Sequence, residues 1–496
     1  MQAAAVVIDV GTTNTKILLF DTSTAELCSK RSFRTPKIII RDEVDFDSAL
    51  LFQNITDEIK NLAMAGCWHI EHILIASVGE MGVIVDAAGA LMGPMLAWND
   101  SRGKEYIDSL SFTDWQRIQE ITGLPPHSNY SIAKIKWLEQ HCHIAWEEGL
   151  TWLNLPDYIS FLLTGIRQTV STMASRTMAF DLRRGEWSEE LIMLYGVPRS
   201  IFPPLAYGGD VAHVIELSMA RRLGLDENTR VSVVGHDHMV GSLAVGLKEG
   251  ELLNSTGTTE GFLRISSAYP MGECERSAKL AGGRFVFPEK FTLYGSLPAA
   301  GLSYEWARKM FRLSQKEADQ VYMDLLEDYR AGKMQSAQEL LFIPHLVGSG
   351  SPDKNIHARG MLYGLTANTS IKDFFYAVAQ GVCMELRHLY DTFIGKDNAV
   401  SSIKVIGPAT KNDLWLQLKA DALNQTIFVT EVDEAVSYGA LVYAYPSLAK
   451  RVPMSVRAVH PNAEYAEKLN RLYTAYMGLY ERKIMMEQFL FLVIGI

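Results

Sequence analysis

Apolar residues along this chain come in short runs that alternate with stretches of helical period. Val6–Val10 and Ile17–Phe20 flank Gly11-Thr12-Thr13-Asn14-Thr15-Lys16, the pattern of two strands joined by a tight turn. Leu27–Arg34 reads as a third strand. From Phe46 to Ala65 the period changes, and Leu50, Ile55, Ile59 and Leu62 share a face at helical spacing. Ile70–Val78 is a buried strand, and Val83–Asp86 continues after the turn Gly79-Glu80-Met81-Gly82. Hairpin, crossover helix and strand predict a mixed sheet with helices on its faces. The middle, Ser111 to Leu163, is largely helical, with Trp115, Trp137, Trp146 and Trp152 in packing roles.

Arg230–Val234 is a further strand, ending in Gly235-His236-Asp237-His238 before a helical run. The chain then starts again. Leu252–Ile265 repeats the opening: strand, Gly257-Thr258-Thr259, strand. Recurrence half a chain later predicts two similar domains facing each other across a cleft. The second half alternates in the same way. Phe285–Leu297 is a strand pair, Gly301–Phe311 a helix and Leu340–Ile343 a strand. Ile371–Ile394 is a long helix, Ile403–Ile406 a strand, Leu414–Leu423 a helix, Ile427–Val429 a strand and Ala435–Tyr445 a helix. The boundary falls near Gly246–Gly250, giving domains 1–246 and 247–496.

Composition narrows the function classes. At 496 residues and 48% hydrophobic, the chain is globular and too long for one core. A net charge of -10 argues against a nucleic-acid footprint or a polybasic membrane patch. Five scattered cysteines without metal-ligand spacing predict reduced thiols in a cytoplasmic protein. The start MQAAAVVIDV lacks the basic n-region of a signal peptide. The tail Phe489–Ile496 is apolar but too short to span a bilayer, so a buried or interface-packing end is expected.

Two stretches carry candidate chemistry. In the first hairpin, hydroxyls and backbone N–H groups at the turn suit a phosphate, and Asp9 suits a hydrated metal ion. An ordinary surface hairpin with a solvated Asp9 and Lys16 is the competing reading. Asp237 stands where a buried strand meets a helix start, a position suited to chemistry and equally to a helix cap.

Eight motifs in order resemble the FGGY carbohydrate kinases, within the wider actin, hexokinase and Hsp70-type ATPase fold. They are IDVGTTNTK, LAWNDSR, PDYISFLLTG, ASRTMAFDLRRGEWSEELI, GHDH, STGTTEGF, LFIPHLVGSGSPDKNIHARGMLYGLT and LWLQLKADALNQTI. The resemblance runs from Asp9 to about Tyr445 and is xylulokinase-like. It implies an α/β protein of two similar ribonuclease-H-like domains, each a mixed five-stranded sheet flanked by helices, with an interdomain cleft. It implies ATP-dependent phosphorylation of a small-molecule ketose or polyol, with Mg2+, in the cytoplasm, without nucleic acid or membrane, a homodimer being the candidate assembly. Asp237 would be the general base and Asp9 the metal anchor. Glu80, Met81, Trp98, Asn99, Asp100, Arg102 and His238 would form the substrate side. Thr12, Thr13, Asn14, Lys16, Gly257, Thr258, Thr259, Gly301, Gly407, Ala409 and Asn412 would hold the nucleotide. The chain departs from the family pattern at Gly407-Pro408-Ala409, where a glycine gives way to proline, and at Gly348-Ser349-Gly350-Ser351-Pro352. The proline keeps open a second class, a regulatory pseudokinase that binds sugar on the same fold.

Overall fold

The computed structural model describes residues 1–40, 43–333, 340–395 and 400–494. In the first half, β1 (Gln2–Val10), β2 (Asn14–Asp21), β3 (Leu27–Arg34), β4 (Trp68–Ser77) and β5 (Arg230–His236) form one sheet. Its order is β5-β4-β1-β2-β3, with Ala212–Val214 added beyond β5 as a sixth strand. β1 pairs antiparallel with β2 and parallel with β4, and β4 pairs parallel with β5. Ala4–Val10 is buried throughout, as a central strand covered on both faces requires. Helix α1 (Ser48–Met64) packs on this sheet, its first turn capped by Asp47, whose Oδ1 accepts from Leu50 N at 2.9 Å. It buries Leu51, Ile55, Ile59 and Leu62, while Leu50 is 42% exposed. Ile55, Ile59 and Leu62 lie on the buried stripe as expected, and Leu51 takes the place expected of Leu50 because it stands one helical turn before Ile55.

The second half repeats the design. β6 (Glu251–Thr256), β7 (Glu260–Ser266), β8 (Phe291–Leu297), β9 (Ser402–Ile406) and β10 (Ile427–Glu431) run in the order β8-β7-β6-β9-β10. That is the first sheet's order again, strand for strand. Here an edge strand is added on both sides, Ala281–Arg284 and Ser455–Val459, making seven. The expected five-stranded mixed sheet is thus the common core of both domains, widened at its edges.

Six further helices build the domain junction and the walls of the cleft: α2 (Asp237–Ala244), α3 (Gly301–Met310), α4 (Ile371–Ile394), α5 (Asp413–Leu423), α6 (Ala435–Ala444) and α7 (Ala463–Ile494). α2 and α6 each follow the last core strand of their sheet, and they cross in contact at the domain junction. The approach is so close that a Cβ on Gly439 would lie 1.9 Å from the Val240 carbonyl oxygen. Phe20 of β2 packs edge-on against Tyr438 of α6 at 4.9 Å between ring centres.

Three expectations change. Residues 111–163 contain helices Phe112–Thr122, Ser131–His141 and Leu155–Thr164, but also a strand, Thr151–Asn154. That strand pairs with Gly82–Val85, which therefore leaves the main sheet. Trp152 is fully buried, whereas Trp115 is 37% exposed, its indole N–H donating to the Ile107 carbonyl at 3.2 Å. The described side chains of the apolar tail are not buried within this chain, which leaves the interface-packing reading of the tail open. α7 buries Tyr465, Leu469, Tyr476 and Tyr480 against the second domain, then exposes Phe489, Leu490, Leu492 and Val493. Residues 495 and 496 lie outside the described residues. Among the described residues, no helix is long and apolar enough to cross a membrane.

Candidate active site

The two glycine-threonine turns close equivalent hairpins. Gly11 N donates to Asn14 O at 3.0 Å, and Gly257 N to Thr259 O at 2.8 Å. Both turns are anchored from outside. Thr35 donates its hydroxyl to Gly11 O at 2.7 Å and its N–H to Thr13 O. The start of α3 donates to the second turn, Gly301 N to Gly257 O at 3.0 Å and Leu302 N to Thr258 O. A Cβ on Gly301 would meet Gly257 O at 2.4 Å, so this docking needs glycine. Under the second turn Lys419 of α5 is buried between Glu260 and Asn254. The backbone N–H groups of Thr12, Thr13, Thr258 and Thr259 have no backbone acceptor among the described residues. They are donors available to an anion.

Two carboxylates stand between these turns. Asp9 ends β1, almost fully buried, and its carboxylate has no hydrogen bond or ion pair among the described residues. Burial, followed by the nearby Asp237, pushes its pKa up to about 7. Asp237 opens α2. Its Oδ1 accepts from His238 N at 2.7 Å and lies 3.2 Å from His236 Nδ1. Oδ2 is left without a partner among the described residues. Burial holds the Asp237 carboxyl above its ordinary range, with Glu80 adding to the rise and His238 opposing it. The residue preceding α2 is His236, so Asp237 is not its N-cap and the capping reading falls away.

Glu80 sits on a turn at φ 63°, a left-handed conformation held open for a non-glycine residue. Its Oε1 accepts from Arg176 Nε at 2.6 Å and lies 2.6 Å from Nη2, and its Oε2 is 3.9 Å from His236 Nε2. The Arg176 guanidinium stacks over Tyr130 at 5.2 Å. Trp98 donates its indole N–H to Thr12 Oγ1 at 3.0 Å, joining the loop that carries it to the first turn. Fully buried Lys134 donates to the carbonyls of Trp98, Ser128 and Asn129 at 3.2, 3.2 and 2.7 Å. Asn99 is exposed, and His238 meets Tyr294 edge-on at 5.5 Å.

The sequence profile of the FGGY family of carbohydrate kinases, N-terminal domain, matches residues 4–244, and that of the C-terminal domain matches residues 252–447. The chain belongs to the FGGY family of carbohydrate kinases. It is 26% identical over 495 residues to xylulose kinase of Bacillus subtilis (strain 168), spanning 95% of this chain and 96% of that one. It is 27% identical over 383 residues to L-fuculokinase of Escherichia coli (strain K12), 76% of this chain and 77% of the relative. In fold it resembles gluconate kinase from Lactobacillus acidophilus, with a TM-score of 0.88 at 22% identity over 97% of this chain and 98% of the other. Ligand-bound xylulose kinase from the same organism gives 0.87 at 22% identity, with the same coverage. This FGGY chain is therefore a sugar phosphotransferase, and kinases of the family use ATP as donor.

Within this FGGY kinase, several expected site residues have other partners. Met81 is fully buried in the first domain's core, in one cluster with Ile75, Val83 and Leu153, where its thioether is closed to a ligand. Lys16 is bound to Glu434 at 2.8 Å across the domain junction instead of standing free at the phosphate turn. Arg102 is clamped by Asp100 and Asp45, at 2.6 and 2.5 Å, and lies over Trp137 at 5.0 Å. The Asp100–Arg102 pair is thus neither a surface pair nor a free sugar-binding pair; it braces the loop that carries Trp98. Asn412 caps α5, its Oδ1 accepting from Trp415 N at 3.0 Å, and Ala409 packs against the second domain's core. Gly407, at φ 108°, lies against β6: a Cβ there would be 2.1 Å from Thr256 O. Pro408 opens a short 3-10 turn, where no backbone N–H is required of it. The loop Gly348–Pro352 is stitched to β8 by Ser351 N donating to Ser296 O at 3.3 Å. Just past it, Lys354 feels the charges of Arg176 and Glu80. Arg176, Tyr294, Lys134 and Lys354 were not singled out from the sequence; Arg176 and Lys354 lie inside two of the motifs, but their place near Glu80 shows only in three dimensions.

Proposed function

We propose that this FGGY kinase transfers the γ-phosphoryl group of ATP to a hydroxyl of a ketose or polyol, with Asp237 as general base. The observation that carries the reading is Asp237 Oδ2, unpartnered among the described residues, while Oδ1 is fixed by His238 N at 2.7 Å. A held carboxylate with one free oxygen can take the proton of an attacking hydroxyl. The two turns would cradle phosphates with the free N–H groups of Thr12, Thr13, Thr258 and Thr259. Asp9 fits a hydrated Mg2+: a buried carboxylate with no protein partner, raised to about 7, is relieved by a cation. Such an ion supplies charge neutralisation on the phosphate oxygens. Glu80, held rigid by Arg176, would accept sugar hydroxyls, and the Trp98 ring would pack against the carbon chain. Domain boundaries at 1–246 and 247–496 would place the base and sugar side on the first domain and the nucleotide side mostly on the second. Pro408 breaks no hydrogen bond within the chain where it stands, which supports the kinase reading over the pseudokinase one. The test is ADP release from ATP and Mg2+ over a panel of ketoses and polyols. Acceptor-dependent ADP supports the reading; ADP release that no acceptor stimulates refutes it.

A further inference from the structure

Among the described residues, each buried or half-buried cation named here around the cleft has a partner, with one exception. Arg176 is matched by Glu80, Arg102 by Asp100 and Asp45, and Lys16 and Lys30 by Glu434. Lys134 is satisfied by three carbonyls, and Lys279 donates to the carbonyl of Asp353. Lys354 Nζ makes no hydrogen bond or ion pair among the described residues. Its backbone is locked at φ 44°, with its N–H on Gly350 O at 2.6 Å. The loop around it is tied on both sides. Ser351 donates its hydroxyl to Lys279 O at 3.0 Å, and Tyr480 of α7 donates to Asp353 Oδ2 at 2.6 Å. Several hydrogen bonds therefore hold in place a cation with no partner among the described residues.

Lys354 lines a cavity of about 790 Å³ between the domains, shared with Lys104, Trp115 and His127 of the first domain and Arg276 and Lys279 of the second. The charges that act on it are Arg176, Lys279 and Glu80. Burial first, then Arg176, lower its pKa to about 8, which leaves it mainly protonated at neutral pH. His127 faces it as a neutral donor: burial and the neighbouring lysines lower its pKa to about 4. Its Nδ1 accepts from Asn129 N at 3.1 Å, so its proton is on Nε2. The Glu80 charge is felt both at Asp237 and at Lys354.

We propose that Lys354, with His127 beside it, is a carboxylate subsite, and that the acceptor is an open-chain polyhydroxy acid whose distal hydroxyl meets Asp237. The inference rests on the kinase reading and narrows its polyol class to aldonate-type acids. One uncompensated cation balances one negative charge, so a carboxylate suits the site better than a phosphate ester dianion. The acid's hydroxyls would lie along Glu80, and its charge would be neutralised where Lys354 has no protein partner.

The experiment uses the full chain with ATP and Mg2+ and compares each five- and six-carbon aldonate with the alditol that differs only at C1. At least one aldonate should exceed its alditol by about tenfold or more in kcat/KM. Lys354→Gln should remove most of that ratio, and Lys354→Arg should retain it. A preference for alditols, ketoses or sugar phosphates overturns the proposal while leaving the kinase reading intact, as does a ratio unchanged in Lys354→Gln. If no acceptor releases ADP, the kinase reading fails separately. Calorimetry of aldonates with the wild type and Lys354→Gln then decides the subsite: binding lost in the variant supports it, and absence of binding overturns it.

Discussion

Glu434 binds Lys16 at 2.8 Å and Lys30 at 2.6 Å, joining the residue before α6 of the second domain to two strands of the first. Glu434 is 8% exposed on its side chain and held at φ 60°. The two lysines pull its pKa below the ordinary 4.5 against the opposing effect of burial. A lowered carboxylate pKa stabilises the fold above the unfolded value and loses that stabilisation as pH falls through the folded one. Glu434→Gln should cost about 1–2 kcal/mol at neutral pH, between the values for exposed and buried pairs. Thermal melts of both proteins should converge below about pH 4. A difference that persists there would mean the ion pairs are not its source.

Asp9 has the opposite sign. Its folded pKa of about 7 lies above the ordinary 3.8, so the folded protein holds a proton that the unfolded chain releases. Without a cation, stability should therefore fall as pH rises between those values. The penalty at high pH is about 4 kcal/mol, at ~1.36 kcal/mol per pH unit. Asp9→Asn should melt higher than the wild type at pH 8, match it near pH 4, and lose turnover. Mg2+ should raise the wild-type melting temperature at pH 8 and leave Asp9→Asn unmoved. Equal responses of the two proteins would remove Asp9 as the metal anchor.

Asp237→Asn keeps the volume and the Oδ1 acceptor but cannot take a proton. Turnover should drop by about 10²–10⁴-fold or more, with the melting temperature nearly unchanged and ATP still bound. Wild-type turnover in this variant would exclude Asp237 as the base.

The α2–α6 crossing gives a test of packing. Gly439→Ala would place a methyl 1.9 Å from Val240 O and should cost about 3 kcal/mol or more. Gly478 lies in α7 with no atom within 4 Å of its added Cβ, so Gly478→Ala should stabilise by about 0.5–1 kcal/mol. Urea unfolding of the two variants should move in opposite directions.

Much of the fold was legible because apolar runs such as Val6–Val10 and Leu252–Ile265 carry their own period. The domain repeat was legible because both hairpins kept Gly-Thr-Thr. Side-chain partnerships were not. Lys16 reads as a phosphate lysine because its true partner, Glu434, is 418 residues away. Met81 reads as a site residue because it follows Glu80, yet its side chain is buried in the first domain's core. Leu50 and Leu51 differ by one position, which periodicity alone resolves poorly when both are leucine. Arg176 and Lys354 acquire meaning only from their place near Glu80 in three dimensions.

The matching strand orders of the two sheets also set their ends side by side. β5 leads into α2 at Asp237, and β10 leads into α6 just after Glu434. Both halves thus hold a carboxylate at the same topological corner, as descent from one duplicated ancestor would leave it. The two corners differ: Glu434 is saturated by two lysines, whereas Asp237 keeps one carboxylate oxygen without a partner among the described residues. The same asymmetry holds at the turns, where Asp9 stands two residues before Gly11 and Ser255 two before Gly257. Catalysis in such a doubled scaffold lies less in what was gained on one side than in what was neutralised on the other.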